Sequence, residues 1–284
     1  MERRPVDLLS HALGQEFALV GPLEGGETGA TEVRGPGGDR FVLKAEWDPD
    51  NQARRRSGIR IADQLRTEAG WPCPRQQALE VDGCLLVLQE HMAGEPVEYL
   101  TDGIVDAVVG MVGSARGLSA GMNQRWAEDL LKILVEGGNG HCMHQPLRDH
   151  DGRTRELVAR IEEIGRSLVP SDVTGSDLLH ADLHPRNLLQ TAHELTAVID
   201  MDYAQVGDAD FDLATLALSG LEVAAAPGVH ERLVSVGIDL LPEPKRRAYL
   251  AALLLRFLDW SIRKGRPLEV EFWLEQADRF LPRS

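Results

Sequence analysis

At 284 residues the chain can bury a substantial core; 43% hydrophobic and 26% charged residues, with no apolar run of about twenty, read as soluble and globular and exclude a membrane span. A formal charge of −15, from 45 acids against 30 bases, argues against a nucleic-acid partner; such a field either draws in cationic small molecules or simply keeps the protein in solution. Cys73, Cys84 and Cys142 are an odd number without zinc-like spacing, and no long apolar stretch follows Arg3-Arg4 to make a signal peptide, so reduced thiols and a cytoplasmic location are expected.

In chain order, residues 17–23 and 41–45 are short apolar runs of β type. Between them lie two turn clusters, Gly25-Gly26-Glu27-Thr28-Gly29-Ala30 and Gly35-Pro36-Gly37-Gly38-Asp39. A flexible loop around Gly26, placed after a strand, can cover phosphates; glycine-rich hairpin turns also arise for backbone reasons alone. Phe41-Val42-Leu43-Lys44 is a β-run ending in lysine, which is a solvated tip if taken alone and a nucleotide-phosphate lysine if an active site follows. Residues 51–69 set Ile59, Ala62, Leu65 and Ala69 on one helical face, and Gly70 fits the stop. Arg54-Arg55-Arg56 at the front of that helix reads as a solvated charge run or as an attraction for phosphate.

Trp71-Pro72-Cys73-Pro74 breaks the helix, and residues 84–89 form a strongly apolar strand. The polar step Glu90-His91-Met92-Ala93-Gly94-Glu95-Pro96 then separates two lobes, with residues 1–93 before the hinge at 94–96 and residues 97–284 after it. An adenine ring bound there would use backbone groups of Gln89, Glu90, His91 and Met92. Beyond the hinge the helical period dominates, with helices expected over 102–118, 123–135 and 154–168. The segment 137–151 holds His141, Cys142, His144 and His150 in a spacing that matches no zinc site, and is read as loop and surface.

The most informative stretch is His180-Ala181-Asp182-Leu183-His184-Pro185-Arg186-Asn187, followed by Asp200 at the end of Ala197-Val198-Ile199-Asp200. An H-x-D-x-x-x-x-N loop before a hydrophobic run ending in Asp is the pattern of kinase-type phosphoryl transfer. Leu188-Leu189-Gln190 and residues 195–199 read as the strands of a hairpin turning at Thr191-Ala192-His193-Glu194. A hairpin puts the residue before its first strand beside the residue after its second, so Asn187 and Asp200 are expected side by side, one amide oxygen and one carboxylate suited to a shared magnesium ion. Asp182, on the same loop, is placed to accept a proton from an attacking hydroxyl. His180 is expected to hydrogen-bond rather than to transfer protons. Asp202 is either a further carboxylate of the metal or substrate site or an exposed turn acid. Asp212 is expected to cap an apolar helix running to about residue 223. Residues 247–264 and 267–281 close the chain as helices, and Glu269, Glu271, Glu275 and Asp278 on the last form either an acidic wall for a cationic substrate or a solvated face.

Through the 180–189 loop, Val198-Ile199-Asp200-Met201-Asp202-Tyr203, Gly207-Asp208 and Asp212-Leu213-Ala214, the chain resembles the aminoglycoside phosphotransferases and related small-molecule kinases. The resemblance implies an α+β, two-lobed protein-kinase-like fold with a small β-rich N-lobe and a larger helical C-lobe, binding ATP or GTP with Mg2+ in the cleft. By matched position it makes Asp182 the catalytic aspartate, Asn187 and Asp200 the metal ligands and Lys44 the lysine on the nucleotide phosphates. It also implies acidic side chains around the amines of a cationic antibiotic, for which Asp202, Glu271 and Glu275 are the candidates. One departure stands out. Where such enzymes carry a helix glutamate to orient the lysine, this chain has Arg60, with Asp63 a turn later; either Asp63 takes the role or Lys44 is held differently. The phosphotransferases of viomycin- and capreomycin-like peptides look similarly irregular here, which keeps those peptides beside aminoglycosides as expected acceptors. The expected function is an antibiotic O-phosphotransferase that confers resistance. The rivals are a kinase for a choline-like or amino-sugar metabolite and a non-catalytic binding protein of kinase fold.

Overall fold

The computed structural model describes residues 4–23, 29–119, 122 and 125–282, so Gly26 and its neighbours in the first glycine cluster lie outside the described residues. The chain divides into two compact units. One runs to Tyr99 and takes in His180–Gln205; the other comprises Leu100–Leu179 and the chain from Val206 onward.

The first unit is built on a five-stranded antiparallel sheet of strands β1 (Ala18–Pro22), β2 (Thr31–Arg34), β3 (Arg40–Glu46), β4 (Gln76–Val81) and β5 (Cys84–Glu90) in the order β1-β2-β3-β5-β4. The period-two alternation of β3 decides what each face does. Leu43 turns to one face and is buried with Leu86, Leu88 and Val33 beneath helix α1 (Pro5–Leu13), which contributes Val6, Leu8 and Leu9. Helix α1 was not anticipated from the sequence; it starts on Pro5 and ends at Gly14, whose φ of 62° only glycine adopts readily. Lys44 turns to the opposite face and is itself buried, 5% exposed.

Helix α2 (Pro49–Glu68) opens with Pro49 behind an Asp48 cap, whose side chain accepts from the Asp50 and Asn51 N–H groups. Its inward face is Arg55, Gly58, Ile61, Ala62 and Leu65. The strand Glu95–Pro96, β6, pairs with Leu188–Thr191, which pairs in turn with Glu194–Val198. The expected hairpin is therefore present, and Ala192 and His193 at its two-residue turn both have positive φ, as a type I′ turn requires. Its hydrogen bonds to the segment just after β5 explain why this stretch belongs to the first unit.

The second unit is helical: α3 (Asp102–Ser114), α4 (Trp126–Glu136), α5 (His144–His150), α6 (Gly152–Ser167), α7 (Asp210–Ser219), α8 (Val229–Val234), α9 (Glu243–Arg263) and α10 (Pro267–Phe280). Helix α9 supplies its centre, with the run from Ala248 to Leu255 buried throughout, and α10 packs beside it with Trp273 stacked on Phe257 at 4.4 Å. Two expectations are corrected here. The segment 137–151 is not all loop and surface: α5 forms within it, and His144 and Cys142 are each 3% exposed. Asp212 does not cap α7; the helix begins at Asp210, whose N–H bonds to Asp208, and Asp212 lies inside it, fully buried. All three cysteines are buried and none forms a disulfide, and burial pushes the Cys73 thiol up to about 12. Among the described residues no helix is long and apolar enough to cross a membrane.

Candidate active site

The loop 180–187 is held by its own hydrogen bonds. His180, fully buried, places its Nε2 2.8 Å from the Ile199 carbonyl oxygen, while its Nδ1 accepts from the Asp182 N–H at 3.2 Å. One imidazole thus ties the backbone of Asp182 to the residue before Asp200. The Ile199 N–H donates to the Asn187 carbonyl at 2.9 Å, so the far end of the hairpin is closed as well. Two non-glycine residues here sit in the left-handed region, Ala181 at φ 65° and Asp200 at φ 62°, ψ 55°. Each such residue costs roughly 1–2 kcal/mol, which the surrounding hydrogen bonds offset.

Asn187 is oriented by its own amide. Its Nδ2 donates to the Asp182 carbonyl at 3.0 Å and lies 3.2 Å from His184 Nε2, and the side-chain oxygen is left facing no donor among the described residues. The His184 Nε2 is also 3.7 Å from the Asp182 carboxylate. Asp200 Oδ1 accepts from the Lys44 ammonium at 2.7 Å, and the Asp200 side chain is 40% exposed. The Asn187 amide oxygen and Asp200 Oδ2, hard donors that meet no hydrogen-bond donor among the described residues, fit a small divalent cation that completes its shell with water and phosphate.

Lys44 reaches across the sequence to two carboxylates, Asp200 and, at 3.1 Å, Asp202. Burial pulls its ammonium toward neutrality, but the two carboxylates outweigh burial and hold its pKa above the ordinary lysine value. Burial likewise works to raise Asp200, and Lys44 outweighs it, so that carboxyl titrates below the ordinary range. Asp202 faces a second cation, Arg55 Nη1 at 3.3 Å, and Arg55 Nε lies 3.5 Å from Glu46. Asp63, the sequence candidate for the lysine's partner, is instead exposed and paired with Arg66 one turn along α2. The sequence signal for Arg55 was masked by its two arginine neighbours.

Of the adenine-contact candidates, Gln89 is buried within the sheet opposite Val42 and Gln76, and the N–H groups of Glu90 and His91 donate to Arg75 and Arg40. Met92 N–H has no such partner among the described residues. Glu271 and Glu275 belong to the second unit; Glu271 pairs with Arg153 at 2.7 Å and Glu275 is exposed.

A β-rich unit that carries its lysine on β3 and gathers Asp182, Asn187 and Asp200 on one loop and hairpin, together with a larger helical unit, has the fold of a kinase-like phosphotransferase. The model of the Phosphotransferase enzyme family matches residues 20–250, and the chain belongs to that family. It is an enzyme that transfers a phosphoryl group to a hydroxyl acceptor. Among solved structures, aminoglycoside phosphotransferase APH(4)-Ia is 18% identical with a TM-score of 0.69 over 96% of each chain. A thermostable mutant of the same enzyme, in ternary complex with ADP and hygromycin B, gives 17%, 0.66 and 97% of each chain. Macrolide 2'-phosphotransferase MphH from Brachybacterium faecium, an apoenzyme, gives 18%, 0.59 and 98% of each. These likenesses establish the fold. No curated protein sequence matches the chain.

Proposed function

We propose that the protein is a nucleotide-dependent O-phosphotransferase acting on a cationic antibiotic, an aminoglycoside or a capreomycin-like basic peptide. The observation that carries this reading is the ordered set in which Lys44 bonds the Asp200 carboxylate and the Asn187 amide bonds the Asp182 backbone carbonyl, leaving the Asn187 side-chain oxygen facing no donor among the described residues. In this reading Asp182 orients the acceptor hydroxyl and takes its proton, and Lys44 bears on the nucleotide phosphates. Asn187 and Asp200 would hold a divalent ion, which when bound supplies neutralising charge to those phosphates. Met92 offers its N–H to the base. The net charge of −15 favours a cationic acceptor, and adding phosphate to a ligand that acts as a polycation accounts for resistance.

The test is transfer of phosphate from ATP and from GTP, with magnesium, to a panel of aminoglycosides and capreomycin-like peptides, with Asp182→Asn alongside. One antibiotic is expected to react, and the variant to lose roughly 10²–10⁴-fold in kcat, the range of a positioned general base. Magnesium-dependent nucleotide binding without any antibiotic turnover would move the substrate to a metabolite hydroxyl. Absence of nucleotide binding would sink the reading of the site.

A further inference from the structure

Helix α2 brings no acid to Lys44. Its inward face is Arg55, Gly58, Ile61, Ala62 and Leu65, and its acids Asp50, Asp63 and Glu68 are exposed. What it brings is an arginine. A Cβ on Gly58 would lie 2.4 Å from the Met201 carbonyl oxygen, so the helix backbone rests directly on the turn that follows Asp200. One turn earlier, Arg55 is 4% exposed and sits between Glu46 and Asp202, and Arg54 lays its guanidinium over the Tyr203 ring at 4.8 Å. Neither Arg55 Nε and Nη1 nor Asp202 Oδ2 completes a hydrogen bond of normal geometry, so the pair is held by charge at 3.3 Å. Two buried cations sharing a carboxylate with such contacts contribute little net stability, because desolvation offsets most of the attraction. The arrangement is better accounted for by what it does to Lys44.

We infer that Asp202, held in place by Arg55 of α2, is the positioning residue for Lys44, doing from the turn after Asp200 what a helix glutamate would do from α2. The inference rests on the reading of Lys44 as the nucleotide-phosphate lysine. Lys44 has two carboxylate partners, and one of them, Asp200, is a proposed metal ligand. Asp202 is the partner that remains when Asp200 turns to a cation. Without it, the anchor of Lys44 left among the described residues is the proposed metal ligand itself, and lysine and metal ion compete for one carboxylate.

The experiment is calorimetric binding of a non-hydrolysable ATP analogue over a series of magnesium concentrations, with thermal melts as the check on folding and acceptor KM as the check on specificity. Asp202→Asn keeps the shape and is expected to weaken analogue binding by roughly 10-fold or more, the worth of one charge-assisted hydrogen bond, and to raise the magnesium needed for half-maximal binding. Acceptor KM should hold. The transposed double variant Arg55→Glu/Asp202→Asn returns a carboxylate to the helix side and is expected to recover part of that loss. The inference is overturned if Asp202→Asn melts normally and binds the analogue as the wild type does, or if the acceptor KM moves while nucleotide binding stays, which would make Asp202 a substrate contact. Lys44→Met separates the two levels: if it leaves analogue binding intact, the reading of Lys44 is wrong and the inference goes with it. If Lys44→Met weakens binding and Asp202→Asn does not, only the inference fails.

Discussion

His144, in the second unit, is a titratable side chain whose chemistry conflicts with its surroundings. It is 3% exposed, neither ring nitrogen meets a hydrogen-bond partner of normal geometry, and Glu162 Oε1 lies 3.5 Å from its Nδ1. Burial, aided by the nearby Arg148 guanidinium and only partly opposed by Glu162, pulls its pKa below the ordinary histidine value. The unfolded chain therefore takes up a proton on this residue at a pH where the folded protein does not. Stability should be undiminished above about pH 6.5 and fall progressively as pH drops from there toward the lowered folded value. Glu162 does not share this window: burial works to raise it, but Arg148 and Arg166 hold it below the ordinary glutamate range, so its contribution is lost only in stronger acid. Urea unfolding at pH 8.0, 6.5 and 5.5 is the check, with His144→Leu expected to flatten the slope. Parallel wild-type and variant curves would rule out His144 as its source.

At the scale of elements, the close seat of α2 on the turn Met201–Tyr203 makes Gly58 a position where a single methyl matters. Alanine in a helix interior is ordinarily worth about 1 kcal/mol over glycine. At Gly58 the added Cβ would meet a backbone oxygen at 2.4 Å, which cannot swing aside as a side chain can. Gly58→Ala is therefore expected to destabilise by roughly 1–3 kcal/mol, the usual range for overpacking, and denaturant unfolding measures it. An unchanged or raised midpoint would mean that α2 slides freely over the turn. The same helix shows why part of the site was hidden in the sequence. Arg54-Arg55-Arg56 reads as one charge run, yet successive helical residues point about 100° apart, so its three members cannot share one face, and here Arg55 is the one turned inward. Which member it is depends on Gly58 and the turn it contacts, and that turn lies more than 140 residues away in sequence. The hairpin was legible for the opposite reason. It is two short apolar runs around a tight turn, both local, and although the register shifts between Leu195 and Ala197 the Ile199 N–H still meets the Asn187 carbonyl, so the neighbourhood of Asn187 and Asp200 could be drawn from spacing. Helix α1 and helix α5 are short, and their burial comes from surfaces that no local window contains.

Over the whole molecule the dominant quantity is the charge of −15, which pairs do not cancel and which sets how charged ligands approach. Its effect differs between the two substrates of the proposed reaction. A polycationic acceptor would be drawn by the summed field, whereas a nucleotide is itself an anion and, on the proposed reading, would gain its affinity from local contacts such as Lys44. Raising salt shortens the screening length from about 30 Å at 0.01 M to about 3 Å at 1 M, so the long-range attraction disappears while buried contacts survive. The kcat/KM for a cationic antibiotic is therefore expected to fall by roughly 10-fold or more across that range, within the 10–10³ span of electrostatic steering, and KM for nucleotide to change far less. Steady-state kinetics with each substrate varied in turn at stepped ionic strength would show it. A salt profile that is flat for the acceptor would point to a neutral acceptor, and the acidic surface would then serve only to keep the protein in solution.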